Sequence, residues 1–175
     1  METIIRRTAA AHIGRMEPLR PGDPLRAHGD PLRCRQRAMT APFTHRLRVR
    51  YHECDACGEV AGATWFVYFD VTMTELFRAL FGSYEALFDH GCDVLVVASQ
   101  ATFLAPARFD ELVDVELRVG RLGATSITFE YTARRGGDEL VRGRVTQVFV
   151  DLAGHGKVEI PADMRAALAA HERAA

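Results

Sequence analysis

The sequence has little that would suit a membrane, a nucleic acid or an oxidising compartment. It contains no apolar run of about 18 residues, so it predicts no helix that spans a membrane. Its formal net charge is −1, which favours neither nucleic acid nor an acidic surface as a partner. Its four cysteines in 175 residues are too few and too irregularly spaced for a disulfide framework, so we predict a cytoplasmic protein.

The motifs of several common enzyme classes are also missing. No phosphate-binding loop, no dinucleotide-binding glycine pattern and no Gly-x-Ser-x-Gly nucleophile motif occurs. Cys54-x-x-Cys57 is a single pair, so a tetrahedral zinc site would have to recruit ligands from elsewhere in the chain. A redox role would require a helix directly after the pair, whereas an apolar connector follows it here. We therefore predict no metal and no cofactor, and interpret both cysteines as small loop residues.

The N-terminal part of the chain differs in composition from the rest. Residues 1–43 are rich in arginine and proline, repeat Gly-Asp-Pro-Leu-Arg at 22–26 and 29–33, and show no apolar periodicity. Such a segment buries too little apolar surface to offset its ordering entropy, which predicts disorder, or a misassigned start with Met39 as the true one. A cleaved organellar leader and a basic binding arm are the alternatives. Residues 44–175 are predicted to form one domain.

Residues 51–81 carry the most informative pattern of the chain. Their first half is polar and punctuated by glycine, with one acid, Asp55, inside a loop of small residues. Thr64 suits the N-cap of a helix over residues 65–81, which Gly82 would close. Apolar side chains cover nearly all sides of that helix, so the rest of the chain has to surround it.

Alternating apolar and polar residues predict strands for most of the remaining chain. The first alternation precedes the loop, at residues 44–51, and a short helix that Ser83 would cap follows the central one. The later strands are predicted at residues 94–104, 113–119, 127–132 and 140–151. A weak helix then begins at Pro161. This order predicts an α+β fold in which an antiparallel sheet curls around one central helix.

That order and several specific stretches resemble the hot-dog fold, and within it the 4-hydroxybenzoyl-CoA thioesterase-like family. The matching stretches are Arg48-Val-Arg-Tyr, Asp55-Ala-Cys-Gly, Tyr68-Phe-Asp, Pro106-Ala-Arg-Phe-Asp-Glu and Thr125-Ser126. The resemblance covers about residues 44–165 and leaves the N-terminal extension unexplained. It implies a homodimer or homotetramer with clefts between subunits, which hydrolyses the thioester of a small or aromatic acyl-CoA or of an acyl-carrier protein.

The resemblance also implies the residues of an active site. It places the catalytic acid on Asp55, as nucleophile or as general base, and the oxyanion donor on a backbone amide near Gly62. An amide at a helix N-terminus suits that role because it brings positive charge to the developing oxyanion. Many members carry a histidine at the position of Gly62 and an asparagine at that of Thr64, and this chain has neither. Asp55 would therefore have to act without that histidine.

Further residues are predicted to contact the substrate. They are Thr64, Trp65, Asp70, Arg121, Thr125 and Ser126. Some relatives place several basic residues before Thr125, where they would bind the phosphates of CoA, and only Arg121 remains of them here. The thiol of the substrate could therefore belong to CoA or to an acyl-carrier protein. Asp70 falls in the apolar helix, where a buried acid is costly unless paired. We expect it either to pair with Arg108 or to bond a polar substituent of the substrate.

Several alternative interpretations remain. Asp55 could simply cap a loop amide, as aspartate often does in turns. Arg108 and Asp110 are expected to fix a turn and an intersubunit contact. The missing histidine also permits a non-catalytic dimer that binds an acyl thioester or a partner protein. A hydratase on the same fold would pair an acid with a nearby histidine, but His52 lies in a predicted strand end.

Overall fold

The computed structural model describes residues 41–154 and 156–172, so the predictions for residues 1–40 lie outside the described residues. This part of the chain forms five strands and three helices. They are β1 (Phe43–Arg48), α1 (Thr64–Phe81), α2 (Ala86–Asp89), β2 (Cys92–Phe103), β3 (Leu112–Leu122), β4 (Ser126–Arg135), β5 (Asp138–Asp151) and α3 (Ala162–Ala169). A 3₁₀ turn, Tyr51–Glu53, follows β1.

The five strands form one antiparallel sheet in the order β1-β3-β4-β5-β2. The strands β3, β4 and β5 are neighbours in the sheet as they are in the chain. Gly136 provides the positive φ of 60° in the turn between β4 and β5, as the Gly136-Gly137 pair predicts. The strand β1 pairs only with β3 and β2 only with β5 in the described sheet, so β1 and β2 form its two edges.

The helix α1 lies against the inner face of the sheet. Phe69 stacks on Tyr131 of β4 with 4.5 Å between ring centroids, and Phe77 meets Phe129 edge-on at 6.3 Å. Gly143 of β5 lies directly beneath Phe69, because a Cβ at this position would be 2.3 Å from the phenyl ring. Burying such side chains contributes about 1.5–3 kcal/mol each. The predicted α+β hot-dog architecture is confirmed.

One side of α1 remains uncovered. The sheet buries the side of the helix that carries Trp65, Tyr68, Phe69, Thr72, Met73, Leu76 and Phe77. Val67, on another side, is 56% exposed, and Asp70 is also exposed. The prediction that the helix is surrounded therefore holds only on the side that faces the sheet.

Local predictions around the helices need correction. Thr64 is the first residue of α1 and not its N-cap, because Ala63 before it is already helical, with φ −67° and ψ −31°. The Thr64 hydroxyl instead donates to the backbone oxygen of Glu53 at 3.4 Å. Ser83 does not cap α2, which follows Glu85 and is a single turn. Gly82 does close α1, with φ 86°.

The first strand also ends earlier than its alternation predicts. It stops at Arg48, and Tyr51 lies in the 3₁₀ turn with 81% of its surface exposed. The reason is local, since the Glu53 carboxylate accepts a hydrogen bond from the Arg50 amide at 2.6 Å and bends the chain. His52 therefore lies in this turn and not at a strand end.

Candidate active site

Asp55 is held by one of its two carboxylate oxygens. Its Oδ1 accepts hydrogen bonds from the amides of Cys57 at 2.8 Å and Glu59 at 3.3 Å. The Asp55 amide donates to the Glu59 carbonyl at 2.8 Å, and Gly58, with φ 75°, donates to the Asp55 carbonyl. Within the described residues, Oδ2 accepts no hydrogen bond. Asp55 therefore does cap a loop, yet its second oxygen stays available for chemistry.

The loop of Asp55 is fastened to the turn at residues 106–111. Val60 donates to the Ala107 carbonyl at 2.8 Å, and Arg108 donates to the Glu59 carboxylate at 2.8 Å. Asp110, with φ 69°, accepts a hydrogen bond from Arg48 at 2.9 Å. The predicted turn-fixing role of Arg108 and Asp110 is confirmed, whereas their intersubunit contact stays a prediction.

Glu53 connects the same loop to α1. One of its carboxylate oxygens accepts hydrogen bonds from the Arg50 amide at 2.6 Å and from the Tyr68 hydroxyl at 2.7 Å. Its backbone oxygen accepts from the Ala61 amide at 3.0 Å. Burial, and then the bond to Glu53, raise the pKa of Tyr68 far above its usual value, so the hydroxyl remains a donor. Sequence reasoning missed Glu53, although an acid two residues before Asp55 was a visible signal.

The entrance of α1 presents backbone amides without partners. The N–H groups of Gly62 and Ala63 donate to no atom of the residues that the structure describes. A helix N-terminus leaves such amides free and adds the positive end of its dipole. A Cβ at Gly62 would be 3.6 Å from the Phe103 ring, an ordinary contact, so sterics alone do not require glycine here. The amide of Gly62 is therefore a suitable donor to an oxyanion.

The predicted site residues do not share one cavity. Asp55 lines a depression of about 510 Å³ together with His52. Gly62 and Trp65 line a second one of about 350 Å³. Asp70 lines a third of about 380 Å³. A further depression of about 520 Å³, between β1 and α1, contains none of the predicted site residues. Trp65 is also 2% exposed and packs edge-on against Tyr68, so it belongs mainly to the core.

The prediction for Asp70 is corrected in one respect. Arg108 pairs with Glu59, so it is not the partner of Asp70. Asp70 is exposed on the isolated chain, but the partly apolar surroundings of its carboxyl raise its pKa above the usual range. Its role toward a substrate stays a prediction.

Arg121, Thr125 and Ser126 lie at the opposite end of the sheet from Asp55. The loop of Asp55 adjoins the start of β3, where Val49 donates to the Glu111 carbonyl at 3.0 Å. The three residues lie at or just beyond the other end of β3, a strand of 11 residues that is about 33 Å long at about 3.3 Å per residue. Arg121 is exposed there, and Thr125 accepts a backbone hydrogen bond from Phe149. One copy of the chain cannot bring them to Asp55.

Comparison with known proteins decides the family. A model of the thioesterase superfamily matches residues 58–142. A curated relative from Aquifex aeolicus that carries an esterase name is 30% identical over 90 residues, which is 51% of this chain and 70% of the relative. The chain belongs to the thioesterase superfamily. It is therefore an enzyme that hydrolyses thioesters, and the predicted family is confirmed.

Two further proteins are similar to this chain. The acyl-CoA thioesterase YbgC of Haemophilus influenzae is 29% identical over 126 residues, 71% of this chain and 93% of the relative. The crystal structure of the hypothetical protein TT1821 from Thermus thermophilus is 30% identical, with a TM-score of 0.69 over 74% of this chain and 98% of that one. None of the described helices is long and apolar enough to cross a membrane. The cytoplasmic location stays a prediction.

Proposed function

We propose that this thioesterase hydrolyses acyl-CoA esters, with Asp55 as nucleophile or general base and the Gly62 amide as oxyanion donor. The observation that carries the proposal is the unequal use of the Asp55 oxygens. Two amides fix Oδ1, while Oδ2 has no partner among the described residues. Acyl-CoA is the proposed substrate because one relative is named an acyl-CoA thioesterase, and this chain aligns with 93% of that relative's length.

Two routes are compatible with this arrangement. In the first, Oδ2 attacks the thioester carbonyl, the negative charge on the carbonyl oxygen is stabilised at the helix entrance, and the thiolate leaves. Water then hydrolyses the resulting anhydride. In the second, Asp55 removes a proton from a water molecule that attacks the carbonyl directly. Neither route needs a histidine at Gly62, since the backbone N–H donates whatever the side chain.

A homodimer explains the surfaces that one chain leaves open. The edge strand β2 exposes Leu95, Val96, Val97 and Phe103 by 46–58% each, and exposed apolar edges pair readily with another strand. Pairing of two β2 edges would cover these side chains and place a second copy next to the first. It would also allow Ser126 of one copy to approach Asp55 of the other, because within one copy the two residues lie at opposite ends of the sheet. A tetramer would combine two such dimers.

The catalytic proposal is tested by Asp55→Asn in a thiol-release assay. The amide oxygen of asparagine can still accept the two loop hydrogen bonds, so the loop should keep its shape while the carboxylate is lost. We expect kcat to fall by about 10²- to 10⁴-fold. The panel should contain aliphatic and aromatic CoA esters and one acyl-carrier-protein ester. If only the acyl-carrier-protein ester releases its thiol, the proposed substrate becomes an acyl-carrier protein and not CoA.

Asp110→Asn is the matched control. Asp110 is also a loop aspartate, and asparagine tolerates its φ of 69°. Its ion pair with Arg48 is exposed, so its loss should change kcat by less than about twofold. Unchanged turnover in Asp55→Asn would reject the role of Asp55. Saturable binding of the esters by the wild type without thiol release would instead favour the non-catalytic binding module.

The dimer is tested by Val97→Lys, which places a charge on the exposed edge of β2. Light scattering after gel filtration should then give the molecular mass of a monomer. The value of kcat should fall together with that mass, because the site needs both copies. Leu112→Lys is the control, since Leu112 is 43% exposed at the other side of the sheet and should leave the mass unchanged. A wild-type monomer with full activity would refute a shared site.

A further inference from the structure

A histidine shares the depression of Asp55. His52 and Asp55 both line the depression of about 510 Å³, together with the rings of Tyr51 and Phe109. His52 is exposed, and its ring makes no hydrogen bond or ion pair with the residues that the structure describes. An imidazole without a structural partner is free to take up a proton from water.

The side chains around His52 leave its ring free. The carboxylate of the next residue, Glu53, is engaged elsewhere, since one oxygen accepts from the Tyr68 hydroxyl at 2.7 Å and the other lies 3.7 Å from the Arg50 guanidinium. The three residues from His52 to Asp55 span at most about 11 Å even when extended. A water molecule in the depression can therefore lie between the imidazole and the carboxylate.

Asp55 cannot take part in both steps of the covalent route. Its Oδ1 accepts the amides of Cys57 and Glu59, so Oδ2 is the oxygen that would form the anhydride. Once Oδ2 is bonded to the acyl group, the aspartate has no free carboxylate to accept a proton. Water that hydrolyses the anhydride has to lose a proton as it attacks, so a second group is needed as general base.

The other described histidines and the cysteine of the depression do not suit this role. Cys54 directs its thiol to the Arg50 carbonyl at 3.8 Å. His45 lines the separate depression between β1 and α1, and His171 follows α3 near the far end of β3. His90 forms an ion pair with α3 at 3.1 Å. Among these groups, only His52 lies beside Asp55 without a partner.

We propose that His52 is a catalytic general base, which takes a proton from the water that hydrolyses the anhydride formed on Asp55. The inference rests on the proposed function and makes Asp55 the nucleophile within it. The imidazole accepts one proton while the water oxygen bonds to the acyl carbon, and the bond from this carbon to Oδ2 then breaks. The products are the free acid and the Asp55 carboxylate, and the imidazolium passes its proton to solvent.

The test measures acylation and hydrolysis separately in His52→Gln. Rapid-quench assays with an ester that the wild type turns over should show a burst of about one thiol per site, because Asp55 still forms the anhydride. The steady rate that follows should be about 10²- to 10⁴-fold below that of the wild type. Intact-mass spectrometry after mixing should find the variant heavier by one acyl group.

Two further variants serve as controls. His45→Gln replaces a histidine that lines a different depression, so it should leave kcat unchanged and accumulate no acyl group. Asp55→Asn should show neither a burst nor an added acyl group. His52 is exposed and unpaired, so the thermal midpoint of His52→Gln should equal that of the wild type.

Added imidazole provides a rescue experiment. In His52→Ala the depression gains the space of the missing ring and is open to solvent, so free imidazole should raise the steady rate by about tenfold or more and with saturation. The same imidazole should not restore turnover in Asp55→Asn, because that variant lacks the nucleophile.

The outcomes separate this inference from the proposed function. A wild-type kcat in His52→Gln overturns the role of His52 and leaves the proposed function intact. A lower kcat without a burst or an added acyl group also overturns the role, because His52 would then act before any anhydride forms. If the wild type releases no thiol from any ester, the proposed function fails and the role of His52 fails with it.

Discussion

Removing one hydroxyl group, by Tyr68→Phe, tests whether Glu53 positions the loop of Asp55. Tyr68 is 3% exposed, and its hydroxyl donates to the Glu53 carboxylate at 2.7 Å. A hydrogen bond to a charged group contributes about 1.5–3 kcal/mol, which is the loss we expect in the free energy of unfolding. In a domain of this size that corresponds to a fall in Tm of about 4–10 °C.

The variant should also lose activity for a geometric reason. Glu53 holds the Ala61 amide through its backbone and Tyr68 through its side chain, so it links both ends of the Asp55 loop to α1. Without the hydroxyl, the carboxylate retains the Arg50 amide and the Arg50 guanidinium at 3.7 Å but loses its contact with α1, so the loop can shift. A displacement on the order of 1 Å at the reacting group lowers kcat by about ten- to a hundredfold.

Tyr84→Phe is the matched control for this experiment. The Tyr84 hydroxyl likewise donates to a carboxylate, that of Asp93, at 2.9 Å, and burial likewise raises its pKa. Both variants should therefore lose stability in thermal unfolding by a similar amount. Only Tyr68→Phe should lower kcat in the thiol-release assay at a temperature where both are folded. Equal kcat values in the two variants would refute the positioning role of Glu53.

Two further predictions concern stability. Gly143→Ala should lower the free energy of unfolding in urea by about 1–3 kcal/mol, because its methyl group would overlap the Phe69 ring of α1. Gly137→Ala is the control and should change it little, because a methyl group there meets open space. Asp70→Asn should raise the urea midpoint at neutral pH. The folded-state pKa of Asp70 lies above its unfolded value, so its carboxyl favours folding most at acid pH and loses that contribution as the pH rises through the folded pKa. The gain should therefore vanish below about pH 4, where both states are protonated.

The fold was predictable because its main determinants are periodic. Alternation marked the strands β3 and β4 within a few residues, and the apolar stripe marked α1. The errors occur where one contact overrides the pattern. Tyr51 continues the alternation of β1, yet Glu53 bends the chain before it. Thr64 has the chemistry of an N-cap, but its hydroxyl bonds to a carbonyl 11 residues earlier in the chain, a contact that no local rule reveals.

The sequence indicated the residue types of the proposed site more than their pairings. An acid in a glycine-punctuated loop before an apolar helix singled out Asp55, and the family resemblance added the amide of Gly62. Asp70 was expected to need a partner because it falls in an apolar helix. Arg108, one of the two possibilities, is excluded because the fold places Glu59 beside that arginine.

The exposed side of α1 and the separation of the predicted site residues have one physical origin. A sheet whose outermost strand is β2 can bury only the side of the helix that faces it, so Val67 and Asp70 remain at the surface. Asp55 and Ser126 lie at opposite ends of the sheet, and the predicted site residues Asp55, Gly62 and Asp70 line three separate depressions. A second copy paired at β2 would cover the exposed side of α1. The same pairing would bring Ser126 of that copy toward Asp55 of the first. Loss of the dimer should therefore reduce stability and activity together, and a variant that separates the two effects would argue against a shared origin.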